Sequence, residues 1–166
     1  MTNVLIVDGN ALLKLGFHGF KNLSYKDIHI GGVFHFLNKL RIELDTYHYE
    51  KVVVFWDGEK NYTARRNIYE NYKIRKKPNF KDKEQEHSFY SQKHRVKQYL
   101  EEIFIRQTSF KNYEADDAIA FYCNNSYNEK ITILTNDRDL LQVVSDKVSI
   151  KFFNKDNIIK EGDKIK

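Results

Sequence analysis

Three short, almost wholly apolar runs, each leading into an aspartate, constrain this chain more than any other feature. They are Val4-Leu5-Ile6-Val7 before Asp8, Val52-Val53-Val54-Phe55-Trp56 before Asp57, and Ile131-Thr132-Ile133-Leu134 before Thr135-Asn136-Asp137-Arg138-Asp139. A strand with one wet face alternates apolar and polar residues, so runs this continuous are strands covered on both faces. Val148-Ser149-Ile150-Lys151-Phe152-Phe153 is a fourth β-rich run, and Ile103-Phe104-Ile105-Arg106-Gln107 is a candidate fifth. Helical spacing separates them. Val33, Phe34, Phe36, Leu37, Leu40, Ile42 and Leu44 form an apolar face after Gly31-Gly32, and Ala115, Ala118, Ile119 and Tyr122 form another after Asn112-Tyr113. Strands alternating with helices predict an α/β fold, a central and mainly parallel sheet flanked by helices. No Gly/Ser/Pro linker divides the 166 residues, so 1–166 reads as one domain.

In an open parallel sheet, functional groups gather beyond the carboxyl ends of the strands. Asp8, Asp57, Asp137 and Asp139 are therefore expected to converge. Glu114-Ala115-Asp116-Asp117 opens the helix that carries Ala118 and Ile119. A helix N-terminus favours an acid by ~0.3–1 kcal/mol, and an aspartate after a strand commonly closes a turn or caps a helix. Those effects explain one or two acids, not seven on one rim, which repel one another unless cations neutralise them. Oxygen-only donors select hard divalent cations, so two Mg²⁺ ions are expected, with Mn²⁺ as a substitute. Two such ions support in-line phosphoryl displacement. The six histidines are scattered without zinc-like spacing, and the lone Cys123 excludes an intrachain disulfide and a cysteine zinc site. No apolar run approaches the ~20 residues of a membrane span. The start at Met1 lacks signal-peptide character, and a cytoplasmic setting is expected.

The charge is unevenly placed. Residues 60–97 hold twelve basic against four acidic residues, a net +8, in a chain whose formal charge is +5; the remainder is thus −3. A polyanion such as nucleic acid is the natural partner of such a segment, and a solvated basic helix is its plain alternative. The polar stretch from about Pro78 to Leu100, with Phe80, Phe89, Tyr90 and Tyr99 scattered through it, reads as an exposed helical insertion beginning near Pro78. Its aromatic residues are open to base stacking or, for Phe89 and Tyr99, to packing on the body.

The motifs match a known family in order. Val4-Leu5-Ile6-Val7-Asp8-Gly9-Asn10 resembles the opening motif of the structure-specific 5′-nucleases, the flap endonuclease and 5′→3′ exonuclease family with its PIN-like core. Tyr113-Glu114-Ala115-Asp116-Asp117 resembles the family's most specific signature, and Ile133 to Gln142 its second acidic motif. Arg65-Arg66 with Tyr72-Lys73 resembles its basic helix. The double arginine, basic loop and polar insertion look nearest to the T-even phage ribonuclease H branch.

The resemblance implies a metal-dependent 5′→3′ exonuclease or flap endonuclease that hydrolyses DNA in replication or repair, with RNA–DNA hybrids as a second substrate. It implies Asp8, Asp57, Glu114 and Asp116 around a first metal, and Asp117, Asp137 and Asp139 towards a second. Lys73 and Arg66 would contact the scissile phosphate, and Arg65, Lys76, Lys77, Lys81 and Lys83 would bind nucleic acid. Residues from about 76 to 100 would form a basic arch over a 5′ single-stranded end or flap. A phage or bacterial replication setting is expected, with no membrane; protein partners of replication are not readable from the sequence. The helix–hairpin–helix region that follows in the family is expected to be absent from this chain, which ends at Lys166; Gly162-Asp163 does not stand in for it. Two other readings share parts of the pattern: a PIN-type ribonuclease, and a receiver-like signalling domain phosphorylated at Asp57.

Overall fold

The structure is a computed structural model and describes residues 1–72, 80–154 and 158–163. The expected site residues Lys73, Lys76 and Lys77, and Pro78 with them, lie outside the described residues. In chain order the elements are β1 (Thr2–Asp8), α1 (Gly9–Gly19), β2 (Ser24–Tyr25), β3 (Ile28–His29), α2 (Gly31–Thr46), β4 (Lys51–Phe55), α3 (Thr63–Ile68), α4 (Lys83–Glu102), β5 (Arg106–Thr108), α5 (Ala115–Asn125), β6 (Glu129–Thr135), a 3₁₀ turn (Arg138–Val143), β7 (Val148–Phe152) and β8 (Ile158–Ile159). The main sheet runs β5-β4-β1-β6-β7-β8 and is parallel apart from β8. This is the expected α/β fold with a largely parallel sheet.

The continuous apolar runs work as the sequence predicts, because each strand feeds two cores. Leu5 and Val7 of β1 join Leu12, Phe17, Phe36 and Leu40 on the side of α1 and α2. Val4 and Ile6 join Ala118, Ile119 and Leu140 on the side of α5. Both faces are dry, so all four residues are fully buried. Each such side chain contributes ~1.5–3 kcal/mol of burial. With β1 central and β4 and β6 on either side, the strand order switches from one side of β1 to the other while the strands stay parallel, and a crevice opens beyond the carboxyl ends there.

Two expectations are corrected. The fifth strand is Arg106–Thr108, not Ile103–Gln107. Ile103 closes α4, and Phe104 sits in the left-handed region at φ 60° with 95% of its surface exposed. Those residues form a turn, which a β-rich composition alone does not reveal.

The polar segment, expected as an exposed insertion, instead supplies a core helix. Among the described residues its helix begins at Lys83, because the Asp82 carboxylate accepts the Gln85 N–H at 2.8 Å and Glu84 and Glu86 occupy the first turn. One narrow stripe of α4, Phe89, Val96 and Leu100, enters the core beside α1 and α2. Phe89 meets Phe17 edge-on at 5.3 Å, which settles its role as packing, and Tyr99 packs against the same cluster. Gln92 lies in the same stripe. Its side-chain oxygen accepts the N–H of Gly32 at 2.8 Å and of Val33 at 3.2 Å. α2 has no side-chain cap of its own, so α4 caps it in trans.

One buried charge pair ties α2 to the sheet. Lys151 Nζ lies 2.6 Å from the Glu43 carboxylate, the Tyr49 hydroxyl donates to the same carboxylate at 2.9 Å, and the Lys151 ammonium sits 4.3 Å over the Tyr47 ring. No helix among the described residues is long and apolar enough to cross a membrane.

Candidate metal centre

The acids stand where three strands end and one helix begins. Asp8 is the last residue of β1 and the N-cap of α1, accepting the Ala11 N–H at 3.1 Å. Its other oxygen accepts the Thr135 hydroxyl at 3.0 Å from the end of β6. The same hydroxyl oxygen accepts the Asp137 N–H at 3.0 Å, and Asp137 caps the 3₁₀ turn by accepting the Asp139 N–H at 2.9 Å. Thr135 thus fixes the two strand ends relative to each other. Sequence reading passed over it, although a buried threonine at the end of an apolar run was the available signal.

Asp57, two residues past β4, accepts the Ala115 N–H at 3.0 Å and so anchors the first turn of α5 to the sheet. The next residue must be glycine, since a Cβ on Gly58 would lie 1.8 Å from the Phe110 carbonyl oxygen. Glu114 and Asp117 form a reciprocal capping box on α5. That local device places Glu114, Asp116 and Asp117 so that their carboxylate oxygens lie within 4.8 Å of one another.

A cation already occupies the middle of this trio. The Arg65 guanidinium of α3 lies 2.9 Å from Glu114, 2.6 Å from Asp116 and 2.8 Å from Asp117. It also donates to the Tyr72 hydroxyl, which in turn donates to Glu114 at 2.7 Å. Burial works against the guanidinium charge, but hydrogen bonds to Asp117, Asp116 and Tyr72 outweigh it and hold the group above its ordinary range. Asp116 is pushed up, by burial first, against the pull of Arg65.

The expected acids therefore fall into two linked groups. Asp8 feels Asp57 and Asp137 electrostatically. Asp116, Asp117 and Asp139 share a cavity of about 500 Å³ with Arg65 and Arg138. Asp57 joins the two groups through its bond to Ala115. Three carboxylates holding a cation with oxygen donors alone are the donor set a hard divalent ion requires, so the residues fit such a metal.

The basic residues are placed less uniformly. Arg65, expected on nucleic acid, is engaged by the acids. Arg66 is exposed, donates to the Tyr72 carbonyl at 3.2 Å and lies 5.0 Å over the Tyr62 ring. Lys81 and Lys83 are exposed at the start of α4.

Burial pushes the Asp8 carboxyl up to about 6; the bonds from Ala11 and Thr135 oppose this, and Asp57 and Asp137 reinforce it. The folded state therefore holds this proton to higher pH than the unfolded chain does. In EDTA, stability from this group is complete below about pH 4 and is lost as pH rises to about 6, roughly 2–3 kcal/mol in all. Asp8→Asn removes the titration, so its melting temperature without metal is expected to exceed that of the parent at pH 7.5 and to match it or fall below it at pH 3.5. A constant difference across that range would refute this.

Comparison with known proteins agrees with the geometry. Residues 3–165 match the family model described as "5′-3′ exonuclease, N-terminal resolvase-like domain". The chain is 34% identical over 160 residues to a 5′-3′ exonuclease of Bacillus subtilis, covering 92% of this chain and 51% of that protein. It is 32% identical over 150 residues to a thermostable DNA polymerase I of Thermus caldophilus, covering 89% of this chain and 17% of that one. It spans about half the length of the 5′-3′ exonucleases it matches. Among solved structures it shares its fold with the T5 D15 protein co-crystallised with metal ions, at a TM-score of 0.71 and 19% identity, over 95% of this chain and 58% of that one.

Proposed function

The chain belongs to the 5′-3′ exonuclease family as its N-terminal resolvase-like domain, and from that premise we propose that it is the catalytic part of a divalent-metal-dependent 5′→3′ exonuclease or flap endonuclease acting on DNA. The receiver-like and PIN-type ribonuclease readings give way to this family. The observation that carries the proposal is the trio Glu114, Asp116 and Asp117 gathered around a cation at the carboxyl edge of the sheet.

Asp8, Asp57, Glu114 and Asp116 would hold one Mg²⁺, and Asp117, Asp137 and Asp139 a second, with Mn²⁺ as a substitute. When bound, the ions supply activation of water and neutralisation of the charge that develops on the phosphate and the leaving oxygen. The protein's own part is positional. Thr135 and Ala115 hold Asp8 and Asp57 in fixed directions. The capping box fixes Glu114 and Asp117. Arg65 balances the charge of Glu114, Asp116 and Asp117; with an ion held by those acids, its guanidinium would be available to a phosphate, in keeping with the expected contact to nucleic acid.

Arg66 and Lys73 would stabilise charge on the scissile phosphate. Residues from about 76 to 100, with Lys76, Lys77, Lys81 and Lys83, would track the single strand as a helical arch whose far limb is α4. RNA in RNA–DNA hybrids is the second substrate in this reading. Replication or repair is the setting in this reading.

Incubation with 5′-flap DNA, RNA–DNA hybrid and single strands tests the proposal. Cleavage of the 5′-flap substrate that starts on addition of Mg²⁺ and stops in EDTA is expected. Undiminished cleavage in EDTA, or none with any of the three in Mg²⁺ or Mn²⁺, would end it.

A further inference from the structure

We propose that the cavity between α1 and α4 receives the terminal phosphate of a 5′-phosphorylated strand, an inference that rests on the nuclease reading of the neighbouring acids. The cavity measures about 350 Å³ and opens beside Asp57, so it adjoins the candidate metal centre. Asn10 and Lys14 line it from α1, and Phe89, Tyr90 and Lys93 from α4.

Its two inner cations stand outside any ion pair among the described residues. Lys93 is half-buried, its ammonium 5.3 Å over the Trp56 ring, and among the described residues it makes no ion pair or hydrogen bond. Burial disfavours its charge; Asp57 restores part of the loss, and Lys97 and Lys14 deepen it. Lys14 lies one helical turn beyond Asn10, on the same face of α1, and is likewise unpaired among the described residues.

Two ammonium groups that repel each other across a partly dry cavity are an arrangement that an anion relieves. Glu59 and Lys60 at the mouth offset each other, and Asp57 directs a carboxylate oxygen to the Ala115 N–H. Against the single carboxylate of Asp57 the lining then sets the pair Lys14 and Lys93, an excess of one positive charge. A phosphomonoester carries close to two negative charges at pH 7 and matches that pair, whereas a phosphodiester inside a strand carries one. The rings of Phe80 and Tyr90, 6.2 Å apart, give the terminal nucleoside an apolar surface.

The test is equilibrium binding by fluorescence anisotropy in EDTA, where strand cleavage does not interfere. The probes are single-stranded DNA with a 5′-phosphate, the same strand with a 5′-hydroxyl, and a 5′-hydroxyl strand one nucleotide longer. The phosphorylated strand is expected to bind about tenfold more tightly than either other strand, the scale of one or two charge-assisted hydrogen bonds. Lys93→Met and Lys14→Met should each cut that preference to about twofold or less, measured as the ratio of the affinities for the phosphorylated and the 5′-hydroxyl strand. Inorganic phosphate should raise the melting temperature of the parent above an ionic-strength-matched chloride control, and should not do so for Lys93→Met.

Equal affinity of the parent for the three strands would overturn the proposal without reference to any variant. Equal affinity for the phosphorylated and the longer strand would overturn it too, since an internal phosphate would then suffice. Loss of the preference with Mg²⁺-dependent cleavage intact removes the pocket alone, and loss of cleavage with the preference intact removes the nuclease reading alone.

Discussion

Asp116→Asn is expected to lower Mg²⁺-dependent cleavage by about a thousandfold or more while leaving the folded state intact, because it removes one charge from the centre of the site and no shape. Asp116 stands in the first turn of α5, where its carboxylate lies 2.6 Å from Arg65 and caps nothing that an asparagine could not serve. Burial already pushes this carboxyl towards its neutral form. An amide of the same size therefore suits the metal-free protein, which is expected to melt within a few degrees of the parent. The metal response differs. In the parent, Mg²⁺ bound to the native state alone raises the melting temperature, and the rise grows with metal concentration. In Asp116→Asn the same titration should give a much smaller rise. Two readouts then separate the roles: a structural residue would shift the metal-free melt, whereas a metal-holding residue shifts only the response to metal and the rate. Cleavage by Asp116→Asn at the parent's rate would remove this residue from the metal centre.

The parts of this architecture legible in the sequence were those carried by local pattern. Val4–Val7, Val52–Trp56 and Ile131–Leu134 announce themselves as doubly buried strands because no position in them needs water, and the structure pairs all three side by side. The acids follow from that placement, since a residue after a parallel strand must lie on the carboxyl rim. α4 was not legible in the same way. Its core contact rests on Phe89, Val96 and Leu100 alone, set among charged residues, so its average character is polar while its one buried stripe decides where it packs. The trans cap from Gln92 to Gly32 spans sixty residues and leaves no mark in either neighbourhood. Arg65 was legible as a cation on a helix but not as the partner of Glu114, Asp116 and Asp117, because a guanidinium serves a phosphate and a carboxylate through the same donors. Phe104 misled for the opposite reason: its composition is that of a strand, yet the chain turns there at positive φ.

Lys151→Met is expected to cost about 3–5 kcal/mol of folding stability. Lys151 lies on β7, paired with Leu134 of β6, and points to the same side as Phe153, towards α2. There it meets Glu43, and the two side chains retain only 5% and 1% of their surface. Removing the lysine leaves the Glu43 carboxylate in the core with the Tyr49 hydroxyl as its remaining hydrogen-bond partner. The tyrosine is no substitute for a cation: burial and its bond to Glu43 both hold its proton firmly in place, so it stabilises the carboxylate only as a neutral donor. Glu43→Met strands the ammonium instead, with the Tyr47 ring as its main compensation, and is expected to cost a similar amount. Because the penalty comes from an unpaired buried charge and not from a large net attraction, the double variant Glu43→Met, Lys151→Met should recover most of the loss and come within about 1 kcal/mol of the parent. Urea denaturation of the parent, both single variants and the double variant supplies the cycle. Single variants that each cost under about 1 kcal/mol would show that water reaches the pair and that its burial has little energetic consequence.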